Sequence, residues 1–319
     1  MEDSLLYTFK DFMEHFNKSH YCMKTPENKA EEALTLYFEG GAPERVHAIT
    51  HALKKNNISI WETTGAGRFN CCFHYVQFPF RKAKRAAFHE LGHVIDFNFF
   101  ETKRIPIGRS GWRVTYNQHF YSDEVILSTG KTLFKTVREE MKDKGQALYD
   151  MLMQAFKQEV LTAFPEEVAK EYLFGVEVAN TERRLRNKYR RRKNEDSAEV
   201  QEAIREQQRL DGILNEHNHF RQVRRIVDKS AENKAFERKY NVLLDMLSGC
   251  IDTSYVFPGH SVSYMRTKGF GNEFFADMFE ADTAGDLDSV AFAEQVLPKS
   301  CAAYRELLAK IIAKASAAA

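Results

Sequence analysis

RKAKRAAFHELGHVIDFNFF, residues 81–100, is the stretch of the chain that decides its fold. Apolar residues recur here at helical spacing, so the pattern predicts a helix over residues 81–100 with one side buried. His89 and His93 are four positions apart, which places both imidazoles on one helical face. Glu90 follows His89 directly. The sequence therefore predicts a partly buried helix that carries two imidazoles and a carboxylate side by side.

Two imidazoles one helical turn apart can bind a single metal ion. Zinc binds neutral imidazole nitrogens at about 2.0–2.1 Å, and its catalytic sites use three protein ligands and one water molecule. The ion lowers the pKa of that water toward about 7, and a neighbouring carboxylate can take the proton and pass it to a leaving amine. The HExxH pattern thus favours a Zn²⁺ site for peptide hydrolysis, with His89 and His93 as metal ligands and Glu90 as the general base.

The alternative interpretation is a surface helix that carries two histidines by chance. Three features favour the metal site instead. The neighbours on the core side of the helix are apolar, and a strand is predicted just upstream, where an extended substrate could bind. Asp96 lies seven residues after His89 on the same face, where its carboxylate could orient an imidazole through a hydrogen bond.

A third metal ligand has to come from another part of the chain. Residues 271–280, GNEFFADMFE, predict a helix capped by Asn272, with Glu273 in its first turn. Glu273, Asp277 and Glu280 then form an acidic stripe. Glu273 could bind the metal, and Asp277 could accept a hydrogen bond from a ligating histidine. An ordinary capped helix also explains an early glutamate, because carboxylates stabilise helix N-termini, so the pattern alone leaves both interpretations open.

HELGHVID, residues 89–96, resembles the HExxHxxD signature of the gluzincin metallopeptidases, which are zincins. SYMRT at 263–267, followed by EFFAD at 273–277, resembles the tyrosine and EFFAE region of the lethal-factor-type zinc peptidases. This resemblance implies that Glu273 is the third zinc ligand and that Asp277 replaces the family's second acid. It also implies that Tyr264 stabilises the tetrahedral oxyanion, although two extra residues separate Tyr264 from Glu273 here.

A second resemblance covers residues 243–281. LLDMLSGC, PGHSVSY and NEFFADMFEA are similar to metallopeptidase-like regions attached to phage head and minor structural proteins. It implies that His260 is a second candidate for polarising the substrate carbonyl, and that phage particle components are candidate partners. Both resemblances together cover only residues 89–100 and 243–281.

The expected fold is α+β and predominantly helical, with a zincin-like core. A small twisted sheet is expected beside the HExxH helix, with strands at 58–61 and 69–78. The second strand is expected at the sheet edge, where an extended peptide could add through main-chain hydrogen bonds. Residues 108–122 are expected to be irregular.

Three domains are predicted along the chain. Residues 1–125 hold N-terminal helices (at 4–17 and 26–38), the sheet and the HExxH helix. Residues 126–230 are strongly charged and helical, which is typical of a long helical insertion or arm. Residues 231–319 form a C-terminal helical part that carries the third zinc ligand, with helices expected at 233–249, 273–281, 287–296 and 298–314.

Composition limits the partners and the compartment. The net charge is +1, so no overall attraction to nucleic acid or membrane is expected. No stretch has the apolar length of a membrane span. The five cysteines contain no CxxC pair and are expected as reduced thiols. The acidic N-terminus does not resemble a secretory signal. A cytoplasmic location is therefore expected, and association with a virion or delivery into a host is also consistent with the sequence.

Arg183–Lys193, RRLRNKYRRRK, holds eight basic residues in eleven. The favoured interpretation is a solvated helix face balanced by nearby acids. The alternative is a contact with nucleic acid or an acidic partner.

The motif, the resemblances and the basic run together predict two possible functions. The first is a zinc peptidase acting on a protein or peptide substrate. The alternative is a phage-particle structural protein with a zincin-like scaffold, whose basic arm binds DNA or capsid.

Overall fold

The structure is a computed structural model, and it describes a defined part of the chain. The described residues are 43–62, 67–70, 75–78, 84–107, 111–189, 197–216, 218–251, 260 and 264–318. The helices predicted at 4–17 and 26–38 lie outside these residues. The chain forms two compact units. The first comprises the described residues up to Arg138 and from Phe270 onward, and the second is Glu139–Gly269.

Helices predominate among the described residues, and two small sheets accompany them, which confirms the predominantly helical α+β fold. In chain order the elements are α1 (Pro43–Lys55), β1 (Ser59–Glu62), β2 (Arg68–Asn70), β3 (Tyr75–Phe78), α2 (Lys84–Asp96), β4 (Phe97–Ile107), β5 (Gly111–Phe120), α3 (Tyr121–Glu124), α4 (Leu133–Ala163), α5 (Glu166–Tyr189), α6 (Ala198–Glu216), α7 (Asn218–Lys229), α8 (Ala231–Cys250), a π-helical turn (Met265–Gly269), α9 (Phe270–Thr283), α10 (Leu287–Val296) and α11 (Pro298–Ala317).

The first sheet has the strand order β1-β3-β2 and packs beside α2. β1 runs parallel to β3, and β2 runs antiparallel to it, with Phe69 and Ile60 both opposite Val76. The prediction of one strand over 69–78 is wrong, because this stretch supplies both β2 and the central strand β3. The error has a simple cause. The run is aromatic and β-rich, and it contains no glycine or proline to indicate a reversal of direction.

The second sheet is a long antiparallel hairpin of β4 and β5, in which Phe97 pairs with Phe120 and Ile107 with Gly111. The prediction of an irregular segment at 108–122 is therefore wrong, and α2 ends at Asp96 rather than at residue 100. Apolar residues alternate with polar ones along WRVTYNQHF at 112–120, which is the two-residue period of a strand. That alternation outweighs the helical spacing that continues from α2.

The core of the first unit lies around α9, which packs against α2. Phe274, Phe275 and Phe279 of α9 are fully buried, and the Phe275 ring meets Tyr304 of α11 edge-on at 5.2 Å. The helices predicted at 273–281, 287–296 and 298–314 are confirmed as α9, α10 and α11. Asn272 is not a helix cap, however. It lies inside α9, because a π-helical turn leads directly into this helix.

The first unit also contains the point at which the chain leaves for the second unit and returns from it. Phe134 lies at the start of α4 and Gly271 at the start of α9. A Cβ atom added to Gly271 would lie 3.0 Å from Cβ of Phe134. The outgoing and returning segments are therefore in contact with each other.

The second unit is built from helices. The ring of Phe156 in α4 packs against Phe236 of α8 and Tyr172 of α5, at 5.3 and 6.0 Å between ring centroids. α4 ends at Ala163, just before Pro165, and α8 confirms the helix predicted at 233–249. Most of the predicted insertion, residues 126–230, falls within this unit, and α8 belongs to it as well.

The remaining predictions concern charge, thiols and membranes. Arg183–Tyr189 of the basic run lie in α5, and residues 190–193 are outside the described part. Cys250 and Cys301 are free thiols, and Cys22, Cys71 and Cys72 are not described. Within the described ranges, no helix combines the length and the apolar character that crossing a membrane requires.

Candidate metal centre

Three side chains of the first unit converge where α2 meets α9. The Nε2 atoms of His89 and His93 are 3.1 Å apart. The Oε2 atom of Glu273 lies 3.3 Å from each of these nitrogens. All three are held on helices, and the Glu273 side chain is only 2% exposed. The two helices therefore bring together a set of donor atoms that could hold one metal ion.

Asp277 fixes the orientation of His89. Its Oδ1 atom lies 2.9 Å from Nδ1 of His89, and Oε2 of Glu280 lies 3.7 Å from the same nitrogen. Glu273, Asp277 and Glu280 are about one helical turn apart in α9, so all three carboxylates face α2. A hydrogen bond at Nδ1 leaves the Nε2 lone pair available for a metal. Asp277 thus lies where the sequence predicted it.

The charges in this centre depend on one another. Burial alone lowers the pKa of His89, but hydrogen bonds to Asp277 and Glu273 raise it well above its ordinary value. Burial alone raises the pKa of Glu273, but the facing imidazoles of His93 and His89 hold it well below its usual range. Because a ligating imidazole is neutral, a metal ion that binds here must displace a proton from His89. Metal affinity is therefore expected to fall as the pH falls.

Glu90 lies beside the three donor atoms, and it is held by β2. Its carboxylate accepts a hydrogen bond from the backbone amide of Phe69. Burial raises the pKa of Glu90, and the neighbouring imidazoles of His93 and His89 partly oppose that rise. Gly67, just before β2, lies directly over this side chain, since a Cβ atom there would be 2.9 Å from Cγ of Glu90. Glu90 is thus placed by strand backbone that leaves no room for a side chain at residue 67.

Gly92 sets the distance between α2 and α9. A Cβ atom at this position would lie 2.8 Å from Cα of Ala276 and 3.3 Å from its Cβ. Ala276 is three residues after Glu273 and one before Asp277. Two small residues at the contact allow the helix backbones to approach closely, which lets the short reach of Glu273 and Asp277 span the gap to His89.

Asp96 does not orient an imidazole, so that prediction is corrected. Its carboxylate is fully buried and accepts hydrogen bonds from the backbone amide and the hydroxyl of Ser122, at 2.7 and 2.6 Å. Asp96 is the last residue of α2, where the helix gives way to β4. Its side chain therefore meets α3 rather than either histidine.

His260 and Tyr264 belong to the second unit. The backbone amide and Nδ1 of His260 bind the Asp245 carboxylate, at 2.8 and 2.9 Å. The Tyr264 ring lies 4.8 Å from the His260 ring. Tyr264 immediately precedes the π-helical turn, and Gly259 and residues 261–263 are outside the described part.

Three residues that shape the site were not predicted from the sequence: Gly67, Gly92 and Ser122. A glycine inside an amphipathic helix costs stability relative to alanine, so Gly92 could have been read as a sign of close helix packing. Gly67 stands directly before a strand, where a glycine is also typical of an ordinary turn. Ser122 carries no local signal, because its partners lie far from it in sequence.

Comparison of the chain with protein-family models, with curated proteins and with solved structures finds no match. The geometry of the centre is therefore the main support for any functional assignment.

Gly92→Ala tests the close helix contact. The added methyl group would overlap Ala276, so we expect the unfolding free energy to fall by about 1–3 kcal/mol. Gly212→Ala in α6 is the matched control, because a Cβ atom there meets nothing within 4 Å. That variant should be neutral or gain up to about 1 kcal/mol. Urea denaturation measures both, and equal stability changes in the two variants would contradict the close contact.

The Asp96 carboxyl predicts a dependence of stability on pH. Burial raises its pKa to about 8, against about 3.9 in an unfolded chain. Between these values the folded chain keeps a proton that the unfolded chain has lost, so the contribution of Asp96 to the unfolding free energy decreases as the pH rises from about 4 to about 8. Asp96→Asn cannot ionise. Its stability relative to the parent should therefore increase across this range in chemical denaturation, and a constant difference would refute the shift.

Proposed function

We propose that this chain is a zinc-dependent peptidase. The observation that carries the proposal is the triangle formed by Nε2 of His89, Nε2 of His93 and Oε2 of Glu273, with sides of 3.1, 3.3 and 3.3 Å. Ligands held at about 2.0–2.1 Å around a tetrahedral ion are about 3.3–3.4 Å apart. The triangle therefore matches one face of a zinc tetrahedron.

The donor types also support zinc. Two imidazole nitrogens and one carboxylate oxygen are typical ligands of catalytic zinc, whereas calcium and magnesium prefer oxygen ligands alone. Three protein ligands leave one position for water, as catalytic sites require. The hydrogen bond between Asp277 and His89 is of the kind that orients ligating histidines. Glu273 is accordingly the third ligand in this proposal, as the resemblance to gluzincins implies.

Zinc bound here would polarise the substrate carbonyl and lower the pKa of the attacking water. Glu90 takes the proton from that water and passes it to the leaving amine, because its carboxylate lies beside the ligands. Burial raises the pKa of Glu90, which brings it closer to the range in which a base can both accept and return a proton. The Phe69 amide and Gly67 keep the carboxylate in place while it does so.

β2 supports peptide as the substrate. It is an edge of the three-stranded sheet, and among the described residues it pairs only with β3. An extended peptide added along its other side would gain main-chain hydrogen bonds. Since Phe69 of β2 also binds Glu90, such a peptide would run past the general base. Stabilisation of the oxyanion by Tyr264, or by His260, belongs to the proposal and rests on the resemblances alone.

Glu90→Gln separates catalysis from metal binding. The amide keeps the size of the side chain but cannot accept the proton, so hydrolysis should fall by about 10²–10⁴-fold. Zinc content, measured by elemental analysis, should stay at the parent level. Hydrolysis is followed on a library of fluorogenic peptides, with the exposed Glu294→Gln as the control. Full activity in Glu90→Gln would exclude Glu90 as the base.

Glu273→Ala tests the third ligand. Loss of one of three protein ligands should weaken zinc binding by at least about 100-fold, more than the loss of an outer hydrogen bond typically does. Competition with a chromophoric chelator measures the affinity. Glu140→Ala is the matched control, since Glu140 is also a buried helical glutamate but lies in the second unit. Unchanged zinc affinity in Glu273→Ala would remove this residue from the ligand set.

A further inference from the structure

Asp96, Ser122 and Asn272 form a buried polar network that the catalytic proposal does not use. We infer that this network is a positioning clamp, which sets the place of Glu273 relative to His89 and His93. The inference rests on the proposed zinc centre and adds three residues that act on it without touching the metal or the substrate.

The network joins the ends of the two helices that carry the ligands. Asp96 is the last residue of α2, three positions after His93, and Asn272 immediately precedes Glu273 in α9. Ser122 lies between them in α3, directly after the β4–β5 hairpin. A connection from Asp96 through Ser122 to Asn272 therefore links the two ligand-bearing segments at a point separate from the metal ligands themselves.

The geometry of the clamp is specific. Ser122 donates to Asp96 from its backbone amide and from its hydroxyl, at 2.7 and 2.6 Å. The Ser122 Oγ atom also lies 3.1 Å from Oδ1 of Asn272, which can accept its proton. Asp96 and Ser122 are fully buried, and Asn272 is 3% exposed. A hydroxyl has a single proton, which Ser122 can donate either to Oδ2 of Asp96 or to Oδ1 of Asn272.

Burial makes this network costly to break. A polar group that loses its partner in the protein interior keeps its full desolvation penalty, so each member holds the next firmly in place. A shift of Asn272 would carry the adjacent Glu273 with it, and a site of this kind needs its groups within about 0.5 Å of the productive geometry. The clamp thus complements the Gly92 contact, which sets the helix separation but not the position of α9 along its own axis.

The test is a double-mutant cycle on zinc affinity. Ser122→Ala in the parent chain should weaken zinc binding by about 10–100-fold, the usual effect of losing a partner outside the ligands. In a Glu273→Ala background the same change should have less than about a twofold effect, because no third ligand remains to be positioned. A weakening by the same factor in both backgrounds overturns the clamp, since a purely structural role acts on both alike.

A control variant and a substitute variant complete the test of zinc affinity. Ser289→Ala is the matched control, because Ser289 is equally buried but lies in α10, and it should leave zinc affinity unchanged. If Ser122→Ala does not fold, Asn272→Ala breaks the network at its other end and takes its place in the cycle.

Hydrogen exchange separates the clamp from the proposed function. If the purified chain binds no zinc, the peptidase proposal fails, but the clamp still predicts faster exchange at the backbone amides of residues 272–275 in Ser122→Ala. The Ser289→Ala control should not change their exchange. Unaltered exchange in Ser122→Ala overturns the clamp independently of any metal.

Discussion

The close contact between Gly92 and Ala276 is the constraint on which the candidate centre depends. Carboxylate side chains are short, so Glu273 and Asp277 reach the imidazoles of α2 only if the helix backbones almost touch. The absence of a Cβ atom at Gly92 permits that approach, and Ala276 on α9 is small enough to complete it. The geometry of the donor atoms is thus a consequence of packing between two small residues, and the chemistry follows from it.

The charges of the centre explain how the carboxylates of α9 can remain buried between the two helices. Isolated carboxylates lose a large solvation energy when they leave water, and Glu273 and Asp277 are nearly inaccessible to solvent. Each of them faces the His89 ring, which offsets part of that loss through hydrogen bonds. Removal of one partner would leave the others buried without compensation. The cluster therefore behaves as one electrostatic unit rather than as independent ion pairs.

The sequence predicted the parts of this centre that follow local rules. A four-residue spacing placed His89 and His93 together, and the acidic stripe on residues 273–280 placed Asp277 correctly. The sequence did not predict the strand pairings or the contacts between residues far apart in the chain. The strand reversal between β2 and β3 has no glycine or proline to mark it, and the hairpin of β4 and β5 was hidden by the helical pattern before it. Asp96 was assigned to an imidazole because only its helix face could be read from the sequence, whereas its partner Ser122 comes from a separate element.

The contact between Phe134 and Gly271 brings together the two points at which the chain leaves the first unit and returns to it. Since the chain leaves the first unit and re-enters it at neighbouring points, a short linker could replace the intervening residues without rerouting the elements around α2 and α9. The second unit is therefore an insertion between two neighbouring points of the first unit, so a change in its length need not alter the contact between α2 and α9.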